Sequence, residues 1–384
     1  MPVKNRLDRH LLFGYLFFSL SIVTIMAFKL EQFFVDVFAP RNGDVLTIMY
    51  DLPHDEIHDN QEWRERRKMA SAWHEEITKF SKSYGMFVNQ VIAYNATGSH
   101  NADMPEYGIR KGRKIRLEDI IRDSTIVISM PQYSASAPLI KFTKKYLNLR
   151  VASMPGVAKS MEETALSADY KKVAATCAQL APFFESSDGT EVEFSTGHTC
   201  YFDISDHKTV FQDYGLLHPG GGKGTLRFNN LPAGEVAVCP NEDENSRTAG
   251  EIPAIIDEET IVFIVRNNKI VGVNGDGPIA EKKRREFHED KALCNIAEVA
   301  IGCNDKAVVT GNVLEDEKAG FHWAYGRSDF LGGKVGTQDF SSPDKVCHQD
   351  IVYAKGSPIV CKRFDFVFSN GTRKTVIIDG VLSI

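Results

Sequence analysis

The seven cysteines of this 384-residue chain, Cys177, Cys200, Cys239, Cys294, Cys303, Cys347 and Cys361, include no Cys-x-x-Cys pair and are odd in number. That excludes a thiolate-held zinc ribbon or a paired-disulfide framework and indicates a reducing compartment, taken here as the cytoplasm. Positive charge is not in surplus either: 45 Lys and Arg stand against 51 Asp and Glu, a net charge of −6. The electrostatic footprint of a nucleic-acid-binding protein is therefore missing. The sharpest basic cluster, Lys282-Lys283-Arg284-Arg285, is flanked by Glu281 and Glu286 and reads as the solvated face of a helix. The glycine-rich run Gly220-Gly221-Gly222-Lys223-Gly224 lacks the Walker spacing and the Lys-Ser/Thr ending, which leaves a flexible turn rather than a phosphate cradle. No internal repeat or low-complexity tract occurs. The one long uncharged stretch, Leu11 to Phe28, follows Lys4, Arg6 and Arg9, barely reaches bilayer length and has no small-x-small cleavage site. It reads as a membrane anchor, as the beginning of a helix continuing through Lys29 to Phe38, or as residues upstream of a true start at Met26.

What is present is an ordinary globular composition, 43% hydrophobic and 25% charged, long enough for two domains. After residues 1–28, short apolar runs at Val45 to Asp51, Phe87 to Tyr94, Thr125 to Met130 and Arg150 to Ala152 read as buried strands. They alternate with helical patterns at Gln61 to Tyr84, Leu117 to Asp123 and Ala137 to Leu147. That order predicts an α/β domain with a doubly wound parallel sheet over residues 29–187. Asp51 and His54, at the end of the first strand, read as caps of the following loop. A last helix is expected over Glu162 to Phe184, and the turn Ser186-Ser187-Asp188-Gly189 marks the boundary. From 188 to 384 the pattern becomes mixed α+β and mainly β, with strands at Glu191 to Phe194, Thr260 to Val265, Lys269 to Val273 and Thr375 to Ile378 and a helix at Arg284 to Cys294.

The chemistry concentrates in this second part. In Val346-Cys347-His348-Gln349-Asp350-Ile351-Val352, bounded by turn residues, a strand puts His348 and Asp350 on one face, where a borderline nitrogen and a hard oxygen can share a metal ion. Cys347 then faces the other way and reads as packing. Upstream lie Glu235 in Asn230-Leu231-Pro232-Ala233-Gly234-Glu235-Val236, Glu298 in Ala297-Glu298-Val299-Ala300-Ile301-Gly302, and His322 at the end of a Gly311-Asn312 … Glu315-Asp316-Glu317-Lys318 stretch.

This succession resembles the M29 family of metallo-aminopeptidases, the aminopeptidase T and aminopeptidase S group, over roughly residues 225 to 360. The resemblance implies a catalytic C-terminal domain, a homodimer, and Glu235, Glu298, His322, His348 and Asp350 as ligands of two Zn, Co or Mn ions, one carboxylate bridging. It also implies a water activated between the metals and N-terminal residues removed from small peptides. Glu298 would be catalytic as well, and Glu317 would orient a ligand, accept the substrate ammonium or pair with Lys318 or Arg327. The family tyrosine after the first histidine is absent. Arg327-Ser328-Asp329-Phe330 stands there, with Tyr325 out of register, so Arg327 either supplies an oxyanion donor or pairs with Asp329. Cys347-His348-Gln349-Asp350 and Pro240-Asn241-Glu242-Asp243 also resemble the iron-dependent dioxygenases that open dihydroxypyridine rings. That alternative implies a single Fe(II) on His322, His348 and Asp350 and a small-molecule substrate, although Glu298 replaces a histidine of that group. A metal-binding homologue without turnover is the third possibility.

Overall fold

Along the strand Val45–Leu52, alternation sends Leu46 and Ile48 to one side of the sheet and Thr47 and Met49 to the other, and all four are buried. Such a strand must be covered on both faces. In the computed structural model, which describes residues 28–207, 209–220 and 227–384, it is. Leu46 and Ile48 pack with Phe34 and Phe38 of the helix Leu30–Phe38 and with Met69, Trp73 and Ile77 of Gln61–Ser81. Met49 packs instead with Ile121 and Leu139, from Leu117–Arg122 and Ser136–Lys145. The strand Ile126–Ser129 divides in the same way, Ile126 and Ile128 against Val127.

The first sheet runs, in order, through Phe228–Asn230, Arg150–Ser153, Ile126–Ser129, Val45–Leu52, Ile92–Asn95, Tyr107–Arg110 and Arg113–Arg116. The first five are mutually parallel, so the sheet is the doubly wound one expected. Its antiparallel edge hairpin turns on Lys111 and Gly112, whose φ values of 48° and 73° match the twist that two-residue hairpins favour. At the opposite edge, Phe228–Asn230 returns to this sheet from beyond residue 188.

Three elements differ from the sequence reading. Phe87 to Tyr94 divides into two short strands, Phe87–Val88 and Ile92–Asn95. The helix expected from Glu162 begins at Tyr170, because the Asp169 carboxylate caps it by accepting from the backbone N–H of Lys171 and Lys172. The helix placed at Arg284 to Cys294 spans Pro278–Glu289, with proline in its first turn and a separate 3₁₀ turn at Lys291–Cys294.

The remaining strands form two antiparallel sheets that face each other. One has eight strands, from Lys269–Asn274 at one edge through Glu259–Arg266, Ala249–Ile256, Thr199–Asp203, Gly189–Phe194, Cys361–Val367 and Arg373–Ile378 to Val381–Leu382. The other has five, ordered Phe211–Asp213, Glu235–Val238, Ile296–Gly302, Phe321–Gly326 and His348–Val352. Phe194, Phe202 and Phe263 of the larger sheet meet Phe321, Trp323 and Tyr325 of the smaller in one apolar core. The core covers one face of the five-stranded sheet and leaves its other face for polar residues. Among the described residues no helix is long and apolar enough to cross a membrane; most of the Leu11 to Phe28 stretch and Gly221 to Gly224 lie outside them.

Candidate metal centre

The same alternation that builds this core builds the site. In Glu235–Val238, Val236 and Val238 enter the core, so Glu235 and Ala237 take the opposite face. In Phe321–Gly326, Phe321, Trp323 and Tyr325 enter it, and His322 and Ala324 do not. Ile296–Gly302 needs one irregularity: a register shift between Ile296 and Glu298 lets Ile296 stay in the core while Glu298, Ala300 and Gly302 face away from it. On the edge strand, Ile351 and the neighbouring Cys347 pack toward the core, which places His348 and Asp350 on the far side. Pairing then draws these together over a floor of small residues. Gly302 lies opposite Glu235, Ala300 opposite His322, and Ala324 between Glu298 and Asp350.

One more segment crosses this face. The turn Glu317–Ala319 passes over Gly302, where an added Cβ would lie 2.3 Å from the Glu317 carbonyl oxygen and 2.4 Å from the Lys318 carbonyl carbon. Only glycine permits that approach. The crossing is fixed by Gly302 N–H donating to the Gly320 carbonyl at 2.8 Å and Asn304 N–H donating to that of Lys318 at 3.0 Å.

Two groups of ligand atoms result, each with its members within 4.8 Å of one another: Glu235, Glu317 and His322, and Glu298, His348 and Asp350. Glu298 lies between them, one carboxylate oxygen 2.8 Å from His348 Nε2 and the other 3.8 Å from His322 Nε2. His348 Nε2 is also 3.4 Å from Asp350 Oδ1. The other ring nitrogen of His348, Nδ1, lies 2.7 Å from the Arg327 carbonyl oxygen, and His322 Nδ1 lies 3.3 Å from that of Gly320. Carbonyl partners at Nδ1 place the proton there and turn each Nε2 lone pair into the site, as metal-ligating histidines require.

Glu235 supplies the clearest sign of fit to a cation. Its Oε2 is buried, makes no well-formed hydrogen bond among the described residues and has His322 Nε2 at 3.3 Å. Leaving a buried carboxylate oxygen unsatisfied is costly, and a metal ion is the partner this donor set would take. The set mixes imidazole nitrogen with carboxylate oxygen and contains no thiolate, which suits borderline divalent ions.

Electrostatics in the site are strongly coupled through Lys318, whose ammonium is fully buried. It lies 2.7 Å from Glu235 Oε1, 2.8 Å from Glu317 Oε1 and 3.3 Å from Asp213 Oδ2. Burial alone pushes the Glu235 carboxyl up, but the Lys318 ammonium and His322 outweigh it and hold Glu235 at about 2. Burial prevails for the other two carboxyls, raising Asp213 to about 7 and Glu317 to about 8. For His322, burial is overcome by Glu235, Glu298 and Asp350, which raise it to about 9. Protons and metal ions therefore compete for its Nε2.

All five residues expected as ligands from the sequence, Glu235, Glu298, His322, His348 and Asp350, lie on this one sheet face. Glu317, expected to orient a ligand or meet an ammonium, lies within the first group and also pairs with Lys318. Arg327 comes to the site through its backbone: its carbonyl accepts from His348, while its guanidinium grips Asp329 with Nε–Oδ1 at 2.6 Å and Nη2–Oδ2 at 3.2 Å. Asp51 is structural, accepting from Trp63 Nε1 and from the backbone N–H of Gln132 and Tyr133. Sequence reasoning did not find Asp213 or the burial of Lys318, nor the work of Glu242. The Glu242 carboxylate accepts from Ser328 Oγ at 2.6 Å, from Asn295 Nδ2 at 2.5 Å and from the Lys334 backbone N–H, and so fastens the loop that follows Gly326. In sequence, Lys318 sits in a run of four charges that looks like a solvated surface.

No protein-family model and no curated protein matches the chain. Among solved structures, 2,5-dihydroxypyridine dioxygenase from Pseudomonas putida superimposes with a TM-score of 0.59 at 15% identity, over 92% of this chain and 96% of that one. Wild-type AmpT from Thermus thermophilus superimposes with a TM-score of 0.57 at 13% identity, over 92% and 98%. The chain thus shares its fold, along nearly its whole length, with both proteins.

Proposed function

We propose that this protein is a metal-dependent hydrolase that removes N-terminal residues from peptides. The observation that carries the reading is the placement of Glu298, with one carboxylate oxygen toward each of two ligand groups, the arrangement of a carboxylate that bridges neighbouring ions. Glu235, Glu298, His322, His348 and Asp350 would hold the ions, and divalent metals bound there supply Lewis acidity and a nucleophile available at neutral pH.

The chain's own residues account for the rest. Asp350 keeps a side-chain exposure of 13%, against 0% for Lys318, so a carboxylate stands at the more open side of the site, where a peptide's terminal ammonium would bind. Phe330 is half exposed and stands edge-on to His348 with ring centroids 5.0 Å apart, an apolar wall at the mouth. Arg327 would contribute by orienting His348 through its carbonyl, because its guanidinium is committed to Asp329.

A second reading, a mononuclear iron dioxygenase, is favoured by the nearness of His322 to the Glu298, His348 and Asp350 group and by the fold shared with the dihydroxypyridine enzyme. Metal content after purification without chelator, followed by assays on aminoacyl amides and of oxygen uptake with 2,5-dihydroxypyridine, separates the two. Zinc, cobalt or manganese with release of free amino acid, both lost in His348→Ala, is expected. Iron with oxygen uptake would replace the hydrolase by the dioxygenase, and metal without either turnover would leave a binding protein.

A further inference from the structure

Lys318 has no part in the reading above, yet among the described residues it is the one lysine or arginine whose charged group is buried among the candidate ligands. Its ammonium touches Glu235 and Glu317 and lies near Asp213, and it cannot be withdrawn easily, because its backbone is fixed across Gly302 by hydrogen bonds to its own carbonyl and to that of Gly320. The two ligand groups therefore differ in kind. In the Glu235, Glu317 and His322 group, Oε1 of each glutamate is already engaged by a fixed positive charge. In the Glu298, His348 and Asp350 group, the contacts described pair the carboxylates with histidine alone, and the nearby Arg327 guanidinium is held by Asp329. A dication entering the first group must share its carboxylates with an ammonium in a medium that screens poorly. The second group imposes no such repulsion, and the free Glu235 Oε2 leaves the first group able to bind, though at a disadvantage.

We infer that Lys318 makes the two metal positions unequal: the Glu298, His348 and Asp350 position retains its divalent ion, whereas Lys318 is the resident cation of the other, which takes a second ion only weakly. The inference rests on the metal-centre reading and adds to it which position is filled first and which side chain decides.

Metal stoichiometry tests it without reference to turnover. Protein purified without chelator and passed through gel filtration is analysed for metal, then titrated with zinc against a chromophoric chelator. Wild type should retain one ion per chain and bind a second on the order of 100-fold or more weaker, while Lys318→Met, which keeps length and removes charge, should retain two. Two equally tight ions in wild type, or an unchanged single ion in a folded Lys318→Met, would overturn the inference and leave the metal centre standing. If Lys318→Met does not fold, Glu235→Gln decides: it should keep the retained ion, and losing that ion would place it in the wrong group. No binding by wild type at any zinc concentration would overturn the metal-centre reading itself.

Discussion

His348 Nδ1 meets the carbonyl oxygen of Arg327 at 2.7 Å, so the ring that offers Nε2 to the site is aimed by the backbone of a loop. That loop is tied in turn by Glu242 through Ser328 Oγ and the Lys334 backbone N–H. Partners one step removed from a metal usually matter to affinity by about 10–100-fold. Glu242 stands further out and reaches His348 only through this loop, so Glu242→Ala should weaken metal retention by up to about 10-fold, the lower end of that range, while leaving every candidate ligand in place. A chelator competition showing wild-type affinity would remove Glu242 from the account.

Glu298→Ala should abolish turnover and leave the fold intact, because Glu298 turns one carboxylate oxygen toward His348 and the other toward His322, and its strand neighbours are held by the apolar core. Far-UV circular dichroism and the rate on an aminoacyl amide together check this. Full activity with a normal metal content would show that the site has been assigned to the wrong residues.

Much of this was legible in the sequence. His348 and Asp350 share a face because a strand alternates, and the valines beside Glu235 and the aromatics beside His322 mark the opposite face as core. The parallel sheet followed likewise from apolar runs alternating with helical patterns. Three features were not legible, each for a physical reason. The register shift between Ile296 and Glu298 depends on cross-strand partners and has no local pattern. Asp213 reaches Lys318 only through pairing of Phe211–Asp213 with Glu235–Val238, a three-residue strand too short to show a period. The burial of Lys318 depends on Gly302, sixteen positions earlier, leaving room for its backbone.

Trp323, on the core face directly after His322, is fully buried, lies 5.6 Å from Phe263 between ring centroids and donates its indole N–H to the Tyr353 hydroxyl at 3.1 Å. Trp323→Ala should cost about 3–5 kcal/mol through lost contacts and the cavity left behind. Urea denaturation gives the value, and a loss below about 1 kcal/mol would mean that this core relaxes around the gap.

Acid sensitivity should come in part from Asp203. Burial alone would push its carboxyl up, but Arg247 grips it with Nη2 at 3.0 Å and Nε at 3.2 Å, Ser205 adds a further hydrogen bond, and it falls from the ordinary 3.8 to about 2. A carboxylate lowered on folding stabilises above its unfolded value and loses that contribution as pH falls through the folded one. The melting-temperature gap between wild type and Asp203→Asn should be widest near neutrality and close between about pH 4 and pH 2. A gap independent of pH would assign the effect of Asn to packing instead of charge.

Among the described residues His348–Val352 is an edge strand, paired with Phe321–Gly326 alone. Edges open more readily than strands paired on both sides. A bound ion would tie the two ligands this strand carries to Glu298 on the strand beyond its neighbour, and so act as a rivet through the sheet. The amide hydrogens of Ile351 and Tyr353, which face the neighbouring strand, would then exchange with solvent far faster once a chelator has stripped the metal, so that local backbone opening reports the loading of the site.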